Sequence, residues 1–314
     1  MGLQRLLMCR PTYFKVAYEI NPWMRVTIQA NNQAARQQWD NLYRTLSEKC
    51  GAKIDLIEPV DGLPDMVFTA NAGLVLKKHV YLSHFKYPER QGERAHFEKW
   101  FKSNGFIVHG DEECSFEGAG DALFAGNKLF AAHGFRTDAR VYNYIFQKFG
   151  LGEISFDRKD QNANVIMEKV KSASIGAKSG KDIGQKTDDK VHLIMCELAD
   201  PHFYHIDTCF CPISPKLAIW HPKAFSEESR KRMEQEIELL AVPEKEADRF
   251  ACNSVVIGQH VVIPGGCTET SRALEKRGYQ THLVHVDEFL KAGGACKCLI
   301  LNVSEGQIDG KQGA

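Results

Sequence analysis

The sequence has no excess of charge of either sign and no long apolar run. Its 314 residues include 40 Lys and Arg against 40 Asp and Glu, so the formal net charge is zero. A neutral chain has no general attraction for DNA, RNA or an anionic membrane surface. No apolar run approaches the roughly 18 residues that a membrane helix needs. We therefore predict neither a nucleic-acid nor a membrane partner.

The sequence also lacks the marks of a secreted protein. Its first residues, MGLQRL, contain no long apolar stretch of the kind that a signal peptide needs. Ten cysteines are scattered along the chain, which favours reduced thiols over a disulfide framework. We therefore predict a cytoplasmic protein. The chain is long enough to bury a full core, and its length alone allows either one large domain or two ordinary ones.

One order of elements recurs along the chain: strands, an amphipathic helix, a closing glycine and another strand. Glycine suits the closing position because it tolerates the left-handed conformation, and the candidates are Gly51, Gly105, Gly150 and Gly278. The spacing of about 40 to 55 residues is typical of internal repeats, so a closed ring of αβ units would explain it. Two ordinary αβ domains would also fit. Helices are predicted at residues 32–50, 88–104, 138–149, 226–239 and 268–277. Strands are predicted at residues 53–57, 67–69, 73–76, 79–83, 106–109, 153–156, 255–257, 260–263 and 281–286.

The recurrence breaks once, between Arg158 and Lys190. This segment is rich in lysine, contains no aromatic residue and carries clusters of Ser, Gly and Asp, so we predict a flexible insertion between two repeats. The last residues, Ser304–Ala314, are predicted to fray. The whole chain, residues 1–314, is then assigned to a single catalytic domain.

Two carboxylates, Glu117 and Asp121, are separated only by glycine and alanine. Small residues allow a ligand or another backbone to approach closely, and two nearby acids suit a cation or a metal. A turn between strands with two solvated acids is the commoner explanation of such a composition.

A second polar segment, Asp200–Cys211, contains His205, Asp207 and Cys209 at alternate positions. On a strand these three side chains would share one face, and a carboxylate beside an imidazole is the arrangement that a general acid/base needs. A packed structural histidine is commoner. Zinc binding is a minor alternative, because the spacing matches no common zinc motif.

A third segment, Lys291–Leu301, places Cys296 and Cys298 after a double glycine at the start of a predicted strand. A cysteine at such a junction can be exposed and still held rigidly, which suits a nucleophile. A buried, inert cysteine is the commoner finding for each of them taken alone.

Together these segments resemble the guanidine-modifying superfamily of the pentein fold, and most closely its arginine dihydrolases. The motifs are PDMVFTANAG at residues 64–73, FEGAGD at 116–121 and FYHIDTCFCP at 203–212. The likeness runs from residues 20–24 to residues 293–298 and leaves out the insertion and the tail. It implies an α/β fold, a five-bladed αβ propeller with pseudo-fivefold symmetry, and neither a cofactor nor a catalytic metal.

The resemblance also assigns roles to individual residues. It implies the nucleophile Cys298, the general acid/base His205, the guanidinium-binding carboxylates Glu117 and Asp65, the carboxylate-binding Arg90 and Arg136, and the further substrate contacts Asn21, Phe68 and Asn71. Cys296 falls at a neighbouring, non-catalytic position.

The substrate that the resemblance implies is a small molecule, arginine or a methylated arginine. Arginine dihydrolases carry Ala-Asn at the positions of Ala70 and Asn71, whereas deiminases and dimethylarginine hydrolases usually carry Glu-Asp there. This difference favours hydrolysis of arginine to ornithine, ammonia and carbon dioxide. Four alternatives stay open: dimethylarginine hydrolysis to citrulline, arginine deimination to citrulline, transfer of the amidino group to an amine acceptor, and non-catalytic arginine binding. The sequence does not decide between a monomer and a homo-oligomer.

Overall fold

A computed structural model of the protein describes residues 4–151 and 191–304. Within these ranges the strands form five three-stranded sheets, β15-β1-β2, β3-β4-β5, β6-β7-β8, β9-β10-β11 and β12-β13-β14. The strands are β1 Arg5–Cys9, β2 Lys53–Ile57, β3 Gly73–Leu76, β4 His79–Leu82, β5 Ile107–His109, β6 Ala122–Ala125, β7 Lys128–His133, β8 His192–Glu197, β9 Phe210–Ser214, β10 Leu217–Trp220, β11 Glu238–Ala241, β12 Val255–Ile257, β13 His260–Pro264, β14 Gln280–Val284 and β15 Leu301–Asn302.

The helices connect the strands and cover the sheets. The α-helices are α1 Asn32–Arg44, α2 Pro88–Gln91, α3 Glu93–Ser103, α4 Val141–Phe149, α5 Glu227–Glu236, α6 Glu244–Ala247, α7 Thr268–Glu275 and α8 Asp287–Leu290. A π-helical turn, Thr45–Lys49, continues α1. Short 3-10 helices lie at Pro64–Val67, Thr69–Ala72, Gly118–Gly120, Pro201–Phe203, Ile206–Thr208 and Pro222–Ala224.

Every sheet repeats one topology. The middle strand pairs parallel with the strand after it, and a helix connects this pair. In four sheets its antiparallel partner is the strand before it in the chain, and in the remaining sheet β1 has β15 as this partner. We number the five units by their middle strands β1, β4, β7, β10 and β13, and the C-terminal strand β15 completes the first unit. Five such units are the five blades of the predicted propeller, so the ring of αβ units is confirmed.

Local sequence explains where the helices begin and end. The side chain of Asn31 caps α1 by accepting a hydrogen bond from the backbone of Ala34, at 3.0 Å. The buried residues Ala35, Trp39 and Leu42 then follow at spacings of four and three. All four predicted closing glycines have φ between 64° and 87°, as the sequence predicts.

The middle strands lie in the core. Val261, Val262 and Ile263 of β13 are fully buried, as are the four residues 129–132 of β7. Such continuous apolar runs are typical of strands covered on both faces. Among the described residues, no helix is both long and apolar enough to cross a bilayer.

Several details differ from the prediction. The helix predicted at residues 226–239 is shorter, because α5 ends at Glu236. Leu239 belongs instead to β11, which pairs parallel with β10. The predicted strand at 67–69 is 3-10 helical. The insertion was predicted between two repeats, but it separates α4 from β8, so it interrupts the third unit. The predicted strand at 153–156, the insertion itself and residues 305–314 of the tail lie outside the described residues.

Candidate functional site

The candidate site is built from one short segment of each unit. Asn71, Glu117, Asp207, Asn253 and Cys298 each lie just before the first strand of a unit, β3, β6, β9, β12 and β15 respectively. The 3-10 helices in these segments contact one another, which brings the segments together although they are far apart in sequence. The repeat therefore explains how single residues from five units can meet at one place.

Cys298 is held by two polar neighbours. Its backbone amide donates to Oδ1 of Asn253 at 3.0 Å, and Nδ2 of Asn253 donates to its Sγ at 3.1 Å. The thiol lies 3.5 Å from Oδ2 of Asp207. Burial and the negative charge of Asp207 raise the pKa of Cys298 well above its usual value. The thiol of Cys298 therefore stays protonated unless a cation is brought beside it. A cationic ligand would favour the thiolate, which is the nucleophilic form.

His205, Glu117 and Arg136 form a buried chain of contacts. Nε2 of His205 lies 2.8 Å from Oε2 of Glu117, and Nη1 of Arg136 donates to the two carboxylate oxygens at 2.9 and 3.2 Å. The guanidinium of Arg136 lies between the rings of Tyr87 and Tyr204, 4.7 and 4.6 Å from their centroids.

The electrostatics of these contacts favour a charged carboxylate and a neutral imidazole. Burial opposes ionisation of Glu117, but the charge of Arg136 and the hydrogen bond to His205 lower its pKa below the usual value. Burial lowers the pKa of His205 to about 4, although the contact with Glu117 acts in the opposite direction. At neutral pH the carboxylate is therefore charged and the imidazole is free to accept a proton.

Arg90 organises the opposite side of the site. It donates to both carboxylate oxygens of Glu93 at 2.8 and 2.9 Å, to Oδ1 of Asn71 at 3.0 Å and to the carbonyl oxygen of Asp65 at 3.2 Å. The amide of Asn71 in turn donates to the carbonyl oxygen of Glu117 at 3.2 Å. Both functions of the Asn71 amide are thus used, which fixes its orientation.

Asp65 carries a buried oxygen without a partner. It is 3% exposed, and its Oδ1 makes no hydrogen bond to any residue in the described ranges 4–151 and 191–304. Burial raises the pKa of this carboxyl group, while the charge of Arg90, whose Nε is 3.9 Å from Oδ2, and the neighbouring hydroxyl of Tyr18 lower it. A buried acceptor left unsatisfied is costly, so this oxygen is a suitable contact for a cationic ligand.

A small cavity of about 10 Å³ lies among these groups, with room for about one water molecule. Seven of the predicted site residues line it: Asn21, Asp65, Phe68, Asn71, Arg90, Arg136 and Cys298. Glu117 and His205 are not among its described lining residues, but Glu117 reaches the cavity wall through its contact with Arg136. The structure thus brings all nine predicted residues into one connected group.

The wall of this cavity is closed by contacts between distant segments. The side chain of Asn21 donates to the carbonyl oxygen of Ala292 at 3.1 Å, and the hydroxyl of Tyr204 donates to that of Gly293 at 2.7 Å. A Cβ atom at Gly294 would overlap the ring of Phe68. The double glycine that stood out in the sequence is therefore a place where other chain segments approach closely.

Two local predictions were wrong. The segment around His205 is not a strand but a pair of 3-10 turns, and Cys209 points away to the carbonyl oxygens of His205 and Ile206. Cys209 therefore does not share a face with His205 and Asp207 as a zinc ligand would. Cys298 is also not exposed at a strand start: it is 2% exposed and lies in a turn before the short strand β15.

Sequence reasoning missed Asn253, and it noted the small residues that include Gly120 without predicting which side chains approach them. A Cβ atom at Gly120 would overlap Nδ2 of Asn71 and lie 3.2 Å from Nδ1 of His205, so this glycine separates two site residues. The repeat could have indicated Asn253, because its position relative to β12, the first strand of the fifth unit, matches that of Asn71 relative to β3, the first strand of the second unit. Cys296 is fully buried and contacts the core, away from the cavity lining.

Comparisons with known proteins agree with this geometry. The family described as N,N dimethylarginine dimethylhydrolase, eukaryotic, matches residues 10–179. The bifunctional arginine dihydrolase/ornithine cyclodeaminase ArgZ of Synechocystis sp. is 37% identical over 308 residues, which cover 96% of this chain but only 38% of ArgZ. The N(G),N(G)-dimethylarginine dimethylaminohydrolase of Mycobacterium tuberculosis is 32% identical, with 96% and 86% of the two chains covered.

A solved structure shows the same likeness. The substrate-bound N-terminal domain of ArgZ superposes with a TM-score of 0.81 at 36% identity, and the match covers 96% of this chain and 98% of that domain.

Proposed function

Because the chain belongs to the guanidine-modifying family of dimethylarginine dimethylaminohydrolases and arginine dihydrolases, we propose that it is a cysteine-dependent arginine dihydrolase. One observation carries this proposal: the Cys298 thiol and the unpartnered Oδ1 of Asp65 belong to two residues that line the same buried cavity. A planar cation bound there would satisfy the acceptor and would stabilise the thiolate.

Substrate binding exchanges ion pairs that the site already contains. In the structure the guanidinium of Arg136 pairs with the carboxylate of Glu117. The substrate guanidinium takes the place of Arg136 on Glu117 and contacts Asp65, and the substrate carboxylate then pairs with Arg136 and Arg90. Because the free cavity holds about one water molecule, binding must also separate the contacts that close it.

The reaction then proceeds through a covalent intermediate. His205 accepts the proton of the Cys298 thiol, and the resulting thiolate attacks the central guanidinium carbon. The C–N bond to ammonia then breaks as His205 passes that proton to the leaving group. Water, deprotonated by His205, attacks the thiouronium carbon, the C–S bond breaks as the Cys298 thiol forms again, and the ureido group stays bound in the site. Repetition of the cycle on the bound ureido group releases a second ammonia and leaves a carbamate, which decomposes to ornithine and carbon dioxide.

Asn71 gives the second cycle a physical basis. Its amide both donates and accepts, and Arg90 and the backbone of Glu117 hold it in place. A neutral ureido group needs donor and acceptor contacts without charge, and an amide supplies both where a carboxylate only accepts. The bound intermediate is thereby retained for a second attack instead of leaving as citrulline.

A second candidate is dimethylarginine hydrolysis to citrulline and dimethylamine. The match to residues 10–179 and the relative from M. tuberculosis favour it. For either reaction we propose a small-molecule substrate, no cofactor, a single catalytic domain over residues 1–314 and a cytoplasmic location. The ten free cysteines, all of them buried, are consistent with a reducing compartment.

A product assay tests the proposal. The purified protein and its Cys298→Ser variant are incubated separately with arginine and with asymmetric dimethylarginine, and mass spectrometry measures ornithine, citrulline and dimethylamine. Ornithine with two equivalents of ammonia from arginine, absent with the variant, is the expected result. Dimethylamine with citrulline would replace the dihydrolase by the second candidate. No turnover of either substrate would overturn both.

A further inference from the structure

Two units carry a pair of histidines at equivalent positions. His260 begins β13 and His282 is the third residue of β14, and the nitrogens Nδ1 and Nε2 of the two rings are 3.0 Å apart. In the second unit His79 begins β4 and His109 is the third residue of β5, with the same two nitrogens 2.8 Å apart. We call these the fifth-unit pair and the second-unit pair. The propeller repeat thus provides an internal comparison.

The residue that covers each pair differs. Cys50 lies at the fifth-unit pair and Phe149 at the second-unit pair, with the phenyl centroid 6.2 Å from both imidazoles. Cys50 caps the π-helical turn that continues α1, and Phe149 is the last residue of α4. Each belongs to the next unit in the ring and lies directly before its closing glycine, Gly51 or Gly150. Correspondingly α1 packs against β14 and α4 against β4. One pair therefore has a thiol as its third neighbour and the other has an inert ring.

The fifth-unit pair and Cys50 together form a cluster whose geometry suits a metal ion. One ligand atom each from Cys50, His260 and His282 lies within 4.8 Å of the other two, and no other described group of His, Cys, Asp and Glu meets this condition. A tetrahedral zinc ion with Zn–N of about 2.0 Å and Zn–S of about 2.3 Å places its ligand atoms about 3.3 to 3.6 Å apart. The two imidazole nitrogens, a hydrogen-bonded pair 3.0 Å apart, would separate by a few tenths of an ångström, and an inward movement of the thiol would complete the set.

The surroundings leave room for a fourth ligand. Cys50 and His260 line a large cavity together with Gly51 and Tyr279, so the metal could be reached from that side. Imidazole and thiolate are ligands that zinc prefers, and three protein ligands leave one position for water. The cluster shares no residue with the cavity that Cys298 lines.

We propose that Cys50, His260 and His282 bind a zinc ion that joins the first and fifth units of the propeller. The ion would connect the C-terminal turn after α1 to strands β13 and β14, where the ring of units meets itself. Because zinc binds the thiolate, it must displace a proton from the Cys50 thiol, and binding weakens as the pH falls.

Cobalt substitution tests the ligand set directly. The full chain carrying Cys298→Ser, which removes the active-site thiol, is stripped of metal and titrated with Co²⁺. We expect a thiolate-to-cobalt charge-transfer band in the near ultraviolet and the visible bands of tetrahedral cobalt. The charge-transfer band should be lost in Cys50→Ser and retained in His79→Gln, the matched control at the second-unit pair. A band that survives Cys50→Ser, or no band at all, overturns the proposal.

Thermal unfolding provides an independent readout. Zinc should raise the melting temperature of the same Cys298→Ser background and of its His79→Gln variant, but not that of His282→Asn. If Cys50→Ser does not fold, His260→Gln replaces it in the cobalt titration and should lose the visible bands of tetrahedral cobalt. An equal zinc-dependent shift in His282→Asn and in the control would overturn the proposal.

Discussion

Substitution of Gly120 by alanine should disable the site without disturbing the fold. The backbone at Gly120 is not in the left-handed region, so alanine is allowed there. Its Cβ atom would overlap Nδ2 of Asn71 and lie 3.2 and 3.3 Å from Nδ1 and Cγ of His205. The imidazole need only yield by a few tenths of an ångström, but the amide must move by about 1 Å. A displacement of that size in a catalytic constellation costs about 10²-fold in rate, or about 2.7 kcal/mol of transition-state stabilisation.

The assay compares kcat/KM for arginine and the ratio of ornithine to citrulline. We expect Gly120→Ala to lower kcat/KM by about 10²-fold and to release a larger share of citrulline, because Asn71 no longer holds the ureido group. The matched control is Gly265→Ala, whose Cβ atom would lie 2.8 Å from Nδ1 of His285. That ring is exposed and can swing aside, so its kinetics should be unchanged. A folded Gly120→Ala protein with wild-type kcat/KM would refute the reasoning.

Three further substitutions probe separate parts of the site. Asn71→Asp should shift the products from ornithine toward citrulline, and an unchanged ratio in the mass-spectrometric assay would contradict the role given to the amide. Glu117→Gln should lower the free energy of unfolding by about 3 to 5 kcal/mol in denaturant titrations, because it leaves the buried guanidinium of Arg136 without its counter-charge; a loss below about 1 kcal/mol would contradict this. Asp207→Asn should move the pH profile of Cys298 alkylation, followed by peptide mass spectrometry, to lower pH, since a negative charge that raises the thiol pKa is removed. A profile that stays in place or moves to higher pH would show that this charge does not control the thiol.

Most of the architecture could be predicted from the periodicity of the sequence. The recurring order of strand, helix and glycine indicated a ring of units, and the closing glycines do adopt positive φ. The irregular segments were harder. Residues around His205 alternate polar and apolar as a strand would, yet hydrogen bonds within 3-10 turns determine their conformation. Local propensity does not encode contacts with other units, such as those of His205 with Glu117 and of Asp207 with Cys298, and these contacts also shape the path of the chain here.

The structure groups the predicted site residues together, but the sequence did not indicate which of them pair with each other. The resemblance named Glu117 and Arg136 for opposite ends of the substrate, and nothing in the sequence indicated that they pair with each other in the free protein. Asn253 was missed because a lone asparagine in a loop has no distinctive composition. Its contacts with Cys298 arise from the ring closure, which brings the fifth unit against the C-terminal segment.

The central claim is that Cys298 bonds covalently to the guanidinium carbon of arginine. Acid-quenched mass spectrometry during turnover of arginine labelled at that carbon tests it most directly. The account predicts a labelled adduct on the peptide that contains Cys298, formed and lost at rates compatible with turnover and absent from Cys298→Ser. Steady production of ornithine by Cys298→Ser, with no labelled peptide in either protein, would contradict it.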